Sequence, residues 1–190
     1  DKVFKVPMVS GSTWKGNMRW TASQLLSLNP GKSDYPEVIR LFGNDKNQQD
    51  TFRRGRLNFY PTFFDRIGLE VINPHDRKTK AGILPIYIES VPAEATGTFS
   101  LLYVPFDLMG KPKHQVKTEV GEDMDLVNKA LEKMMLTYGF SAKKSNGFGI
   151  IKNDFNEYPE AILNINLDNI EPYRFNNFTG LTKAFNEIIT

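Results

Sequence analysis

At 190 residues, with 40% hydrophobic and 24% charged residues, the chain has the composition of a folded globular protein with room for a substantial core. No apolar run approaches the roughly 20 residues that span a bilayer, and no charged-then-apolar secretion signal opens the sequence. The lack of cysteine excludes disulfides and thiolate-bound metals, in keeping with a reducing cytoplasm. The net charge of +2 is unevenly spread: residues 1–80 hold 14 Lys/Arg against 8 Asp/Glu, and residues 81–190 hold 10 against 14. A basic first part and an acidic second part suit one face for a polyanion and another for a different partner, with chance clustering on a solvated surface as the alternative. Asp1 in place of methionine fits a chain continued upstream.

Residues 2–9 alternate weakly and suit the end of a strand. From Ser12 to about Leu28, Trp14, Met18, Leu25 and Leu26 make a helical stripe that Asn29-Pro30-Gly31 stops. A short helix is expected over Pro36–Phe42, ending at Gly43, with an exposed polar loop from Asn44 to Asp50. Strands are expected at Arg56–Tyr60, Gly68–Ile72 and Ile83–Val91, with a charged loop from Asn73 to Gly82. The segment from Thr96 to Leu108 is rich in β-formers and is expected to return antiparallel to Ile83–Val91. Lys111–Glu119 is polar and reads as a mobile connection. Asp123 then caps a helix whose buried face is Leu126, Val127, Ala130, Leu131, Met134, Met135 and Tyr138, with Gly139 ending it. A strand at Gly149–Lys152, another over Ala161–Ile170 and a helix from about Thr179 complete the order. Helices and antiparallel strands in this sequence predict an α+β domain spanning residues 1–190, close to βαββαβ, with inserted loops and a β-hairpin and a first strand that is short or missing.

Three stretches carry the chemistry. In Ser10-Gly11-Ser12-Thr13-Trp14-Lys15-Gly16-Asn17-Met18-Arg19, hydroxyls suited to capping lead into a helix with glycines and two cations four residues apart. Free first-turn amides and the helix dipole would then favour an anion, in a protein usually a phosphate. In Gly139-Phe140-Ser141-Ala142-Lys143-Lys144-Ser145-Asn146-Gly147-Phe148-Gly149, glycines bracket two lysines and an aromatic side chain on which a base can stack. A tight turn with exposed lysines is the plainer alternative. Leu41-Phe42-Gly43 is followed by Arg53-Arg54-Gly55-Arg56-Leu57-Asn58-Phe59, whose three arginines suit phosphate contacts, with a solvated cluster as the alternative.

The first of these stretches resembles the G-S-S-x-K-G-x-x-R signature of the repeat-associated mysterious protein (RAMP) superfamily, the RNA-binding subunits of CRISPR effector complexes. The Leu41-Phe42-Gly43 turn, the Gly55-Arg56-Leu57-Asn58-Phe59 strand and the glycine-rich loop at 139–149 follow in the same order, over residues 10–149. The likeness is strongest to the backbone subunits of type III complexes. It implies a ferredoxin-like (RRM-like) core, a guide RNA and a target RNA as partners alongside other effector subunits, and a cytoplasmic ribonucleoprotein acting in antiviral defence. It also implies RNA contacts at Ser12, Lys15 and Arg19, and at Lys143, Lys144, Gly147, Phe148 and Gly149, with Arg53, Arg54 and Arg56 added from their own pattern. In cleaving members of the family a catalytic aspartate lies ahead of the signature, where this chain has about nine residues and no residue is assigned that role.

Outside these motifs little chemistry is legible. His75, in the charged His75-Asp76-Arg77 loop, is the one candidate for general acid–base work in a metal-independent ribonuclease. His114 has no evident partner. Glu119, Glu122, Asp123 and Asp125 could hold a hard cation, although acids that complement a helix dipole explain them more simply. No cofactor is expected, with a divalent metal needed only if the chain cleaves RNA. The leading expectation is thus a structural RNA-binding subunit, and the alternative an endoribonuclease cutting target or precursor RNA.

Overall fold

The computed structural model describes residues 3, 5–26, 35–44, 52–82, 84–155, 161–164 and 171–189. Helices and strands are mixed, as expected of an α+β protein. The described strands pair two by two in four small antiparallel sheets, and no four-stranded ferredoxin-like sheet forms among them. The expected stop at Asn29-Pro30-Gly31, most of the loop to Asp50, and the second half of the 161–170 strand lie outside the described residues.

Two compact units are formed, one from residues 1–11 and 60–100, the other from 12–59 and 101–190. In the first, β1 (Met8–Val9) pairs with β3 (Thr62–Phe63), and β4 (Gly68–Ile72) pairs with β5 (Ile86–Ser90) from Gly68↔Ser90 to Ile72↔Ile86. The charged segment between β4 and β5 is a structured turn. Asp76 accepts hydrogen bonds from the Lys78 and Thr79 amides and the Thr79 hydroxyl, which hold its carboxyl below the ordinary range.

The second unit holds α1 (Gly11–Leu26), α2 (Pro36–Phe42), β2 (Leu57–Phe59), β6 (Leu101–Tyr103), α3 (Lys113–Lys133), β7 (Ala161–Leu163), β8 (Tyr173–Phe175) and α4 (Phe178–Ile189). Its core gathers Trp14, Met18, Val38, Leu41, Phe42, Met134 and Phe178. The two motifs around Gly43 and Gly55 close on each other backbone to backbone. A Cβ on Gly55 would lie 2.5 Å from the Leu41 carbonyl oxygen and 2.6 Å from the Gly43 nitrogen, so no other residue fits there.

Three expectations are corrected. The segment 96–108 does not return against Ile83–Val91. β5 pairs with β4, whereas β6 pairs with β2, which places Leu57 opposite Tyr103 and Phe59 opposite Leu101 on one face. No strand forms at Gly149–Lys152, where the Ile151 amide instead donates to the Met135 carbonyl. Finally, α3 begins at Lys113, ten residues before Asp123, so Lys111–Glu119 is largely helical and Asp123 is not a cap.

The physical reason lies in a buried ionic network. The Asp123 side chain is 0% exposed, and it accepts hydrogen bonds from Arg40 Nε at 2.7 Å, Arg56 Nη1 at 2.6 Å and the Tyr103 hydroxyl at 2.7 Å. Arg56, itself 2% exposed, also binds Asp107 and Glu119. Glu119 and Asp123 are four residues apart and share a helix face, so a helix through the polar segment serves both. Hydrogen bonds from Arg56 hold Asp107 and Glu119 below the ordinary range, and burial with Asp123 nearby pushes the Tyr103 phenol up. Carboxylates held low contribute stability above their ordinary values of 3.8 and 4.5, and the contribution is lost as pH falls through the depressed folded values.

Asp123→Ala takes the buried carboxylate from Arg40, Arg56 and Tyr103, leaving the arginines only their more exposed partners, and should cost about 3–5 kcal/mol in chemical denaturation. Asp125→Ala, which breaks only the exposed Lys129 pair, should cost no more than about 0.5 kcal/mol. Comparable losses from the two variants would contradict a central role for the network.

Candidate nucleic-acid interface

The first two sequence motifs meet in the second unit. On α1, Trp14, Met18, Thr21 and Ala22 point into the core, because positions three and four apart share a face. Ser12 and Thr13 lie inside the first turn, not before it, and both are exposed. At about 100° per residue, Gly16 sits on the exposed side between Lys15 and Arg19 on one flank and Trp20 on the other.

Neither Lys15 nor Arg19 is neutralised by a carboxylate among the described residues. Burial, followed by the Arg19 charge, pulls the Lys15 ammonium below the ordinary lysine value. A half-buried lysine facing a like charge is relieved by an anion. A Cβ on Gly16 would meet nothing within 4 Å, so no packing within the chain requires glycine in mid-helix.

The 139–149 loop closes against this helix. Gly139 (φ 75°) and Gly149 (φ 79°) form its neck, with the Phe140 amide donating to the Gly149 carbonyl at 3.2 Å. A Cβ on Gly149 would come within 2.7 Å of the Ser141 nitrogen. Beyond the neck, the Asn146 amide donates to the Lys143 carbonyl and the Gly147 amide to the Lys144 carbonyl, giving a tight tip. Lys143 is exposed with φ 59°, Gly147 is exposed with φ 83°, and Phe148 is half-buried.

Side chains join the two parts. The Trp14 and Phe140 rings lie 4.4 Å apart. The Asn17 amide donates to the Phe140 carbonyl at 3.1 Å and to the Thr13 carbonyl at 2.9 Å, and its oxygen accepts from Lys144 Nζ at 3.0 Å. That ammonium also lies 5.0 Å from the centre of the Trp20 ring, which is 45% exposed and packs edge-on to Tyr138. Lys15 and Arg19 therefore border one side of Gly16, and Trp20 with its overlying Lys144 borders the other.

The arginine cluster behaves differently. Arg56 is buried with its donors taken up by three carboxylates, so it offers no edge to a ligand. Arg53 is exposed and paired with Asp107 at 2.6 Å. Arg54 is exposed and, among the described residues, its side chain reaches Asn58, at 3.3 Å. His75, in the first unit, is exposed at the base of the β4–β5 turn and bridges Gly82 through its backbone. Among the described residues no three acids or histidines are grouped to hold a metal ion. Glu122 and Asp123 bind Arg40, Glu119 binds Arg56, and Asp125 binds Lys129, so these acids serve ion pairs rather than a helix start. No described helix is long and apolar enough to cross a membrane.

The sequence model of the RAMP superfamily matches residues 1–152. The chain belongs to the RAMP superfamily. Its motifs are thus a family pattern, and the convergence of α1 with the glycine loop is the form that pattern takes in this RAMP protein. Among curated proteins, the CRISPR system Cms endoribonuclease Csm3 of Enterococcus italicus is 31% identical over 80 residues, covering 40% of this chain and 36% of that protein. The matched segment thus spans about a third of the relative's length.

Asn17, Trp20, Arg40 and Tyr103 were not singled out from the sequence. Asn17 and Trp20 fall at unspecified positions within or beside the RAMP signature. Gly16→Ala should raise the stability of the free chain by about 0.5–1 kcal/mol, because alanine is the better helix former and its methyl has room. Gly149→Ala should instead lower it by about 1–3 kcal/mol through backbone strain and clash at the neck. Thermal denaturation distinguishes the two, and a destabilised Gly16→Ala would contradict the open face of α1.

Proposed function

We propose that this RAMP protein is an RNA-binding subunit of a type III CRISPR effector complex, holding the guide RNA through its sugar–phosphate backbone and helping to position a target RNA for antiviral defence. The supporting observation is the exposed face of α1, where Gly16 allows a close backbone approach between unneutralised Lys15 and Arg19 and the glycine loop. Ser12, Lys15, Arg19, Lys143 and the Gly147–Gly149 turn are its contacts, and exposed Arg54 can add another. Such contacts fix a strand in place with little sequence readout. Membership of the RAMP superfamily and the partial likeness to Csm3 support the class of complex. A ferredoxin-like core over residues 1–190 is part of the same proposal, supported by the antiparallel β2–β6 pair between α1 and α3 in chain order. Other effector subunits would be its neighbours in a cytoplasmic ribonucleoprotein.

Lys15→Ala and Arg19→Ala should each weaken binding of single-stranded RNA about tenfold, equally for unrelated sequences. Each should also lower the slope of log affinity against log salt by about 0.7, the release expected for one phosphate contact. Gly16→Ala should bind RNA more weakly despite the greater stability of the free chain. Unchanged affinity in all three at moderate salt would place the RNA elsewhere.

A second reading, favoured by the word endoribonuclease in the name of the Csm3 relative, is that the chain cuts RNA. Under the binding proposal a matched RNA stays intact with and without divalent metal. Regular metal-dependent cuts would indicate target cleavage. Metal-independent cutting abolished by His75→Ala would indicate precursor processing.

A further inference from the structure

We infer that Asn17 is a positioning residue for the glycine loop, and that Lys144 acts through it, holding the loop in its RNA-binding shape rather than serving as an independent phosphate contact. The inference rests on the RNA-binding reading above and assigns work within that site.

Asn17 is half-buried, and its side chain joins α1 to the glycine loop at two points. One amide proton goes to Thr13 of its own helix, which fixes the side-chain rotamer. The other goes to the Phe140 carbonyl, beside the loop's neck, and the amide oxygen accepts from Lys144 beside the tip. The same side chain thus ties both ends of the loop to one turn of α1.

Lys144 is bound at the same place by two further constraints. Its ammonium lies over the Trp20 ring, and its backbone carbonyl accepts the Gly147 amide that closes the tip. A cation already shared between an amide oxygen and an indole face has part of its donor capacity taken up, and its position is fixed by the fold rather than by a phosphate. Lys143, one residue earlier, is exposed in a left-handed conformation. Adjacent lysines in the sequence therefore have different roles in the fold: Lys143 is presented and Lys144 is anchored. Without the anchor the tip, which carries Lys143 and Gly147, would sample many arrangements, and ordering it on RNA would cost conformational entropy.

The test is a double-mutant cycle on the full chain, with Asn17→Ala and Lys144→Met, read as affinity for a mixed-sequence single-stranded RNA and as the rate of trypsin cleavage after Lys143. Lys144→Met keeps the apolar stem on Trp20 and removes only the charge, so it remains informative if Asn17→Ala folds poorly. Each single variant should bind RNA about tenfold more weakly and be cut faster at Lys143, while the double variant is no worse than either single one. Single effects that add to within about twofold would make Lys144 an independent contact and overturn the inference. So would wild-type affinity and wild-type cleavage in both single variants. If the wild-type chain binds no RNA, the underlying reading fails and the positioning role fails with it. If wild type binds and Asn17→Ala binds equally well, only the positioning role fails.

Discussion

The second unit is organised around one carboxylate in a place where charge is costly. Asp123 has no exposed surface, and an ion so placed persists only if its oxygens are fully engaged. Arg40 from α2, Arg56 just ahead of β2 and Tyr103 from β6 meet that demand, so three segments converge on one side chain of α3. Hydrogen bonds of fixed length and direction specify a register that apolar packing alone leaves looser. The helix they anchor passes through a wide turn at Met134–Tyr138 and ends at Gly139, the first residue of the glycine loop. The loop's origin is therefore set by the network.

The same demand sorts the cations. In the sequence, Arg53, Arg54 and Arg56 are one basic cluster beside a glycine. In the fold, Arg56 stabilises the interior, Arg53 borders it through Asp107, and Arg54 faces solvent. A basic patch counted from sequence thus overstates the charge available to a polyanion. Lys15 and Arg19 are the reverse case, held together on a helix face with no acid paired to them among the described residues, as the proposed RNA contact requires. On the proposed reading, the RNA-binding surface lies where ion pairing stops.

Much of this was legible in the residues. The apolar stripe through Trp14 and Met18 located α1, and the order of three motifs led to the family, while the backbone contact between Gly43 and Gly55 that tolerates no Cβ came only from the fold. The start of α3 was missed because its inward face there is ionic rather than apolar, and a polar run reads as a loop. A signal was nonetheless present. Continuing the stripe of Leu126, Val127 and Ala130 back by three, four and seven residues arrives at Asp123, a carboxylate on a face that must be buried and so in need of cations from elsewhere. The pairing of β6 with β2 was missed for a different reason: a neighbouring strand is the usual partner, and here the intervening β4 and β5 satisfy each other first. Asn17 left no trace, since its importance comes from a carbonyl 123 residues away.

The central claim is that α1 and the 139–149 loop act as one cradle for an RNA backbone. Photo-crosslinking of single-stranded RNA to the full chain, with the attached peptides mapped by mass spectrometry, tests it most directly. Crosslinks on the peptides carrying Lys15–Trp20 and Lys143–Gly149, lost together in Lys15→Ala/Arg19→Ala, are the expected result. Crosslinks confined to other peptides, or attachment at the loop that persists in full when the α1 cations are removed, would contradict it.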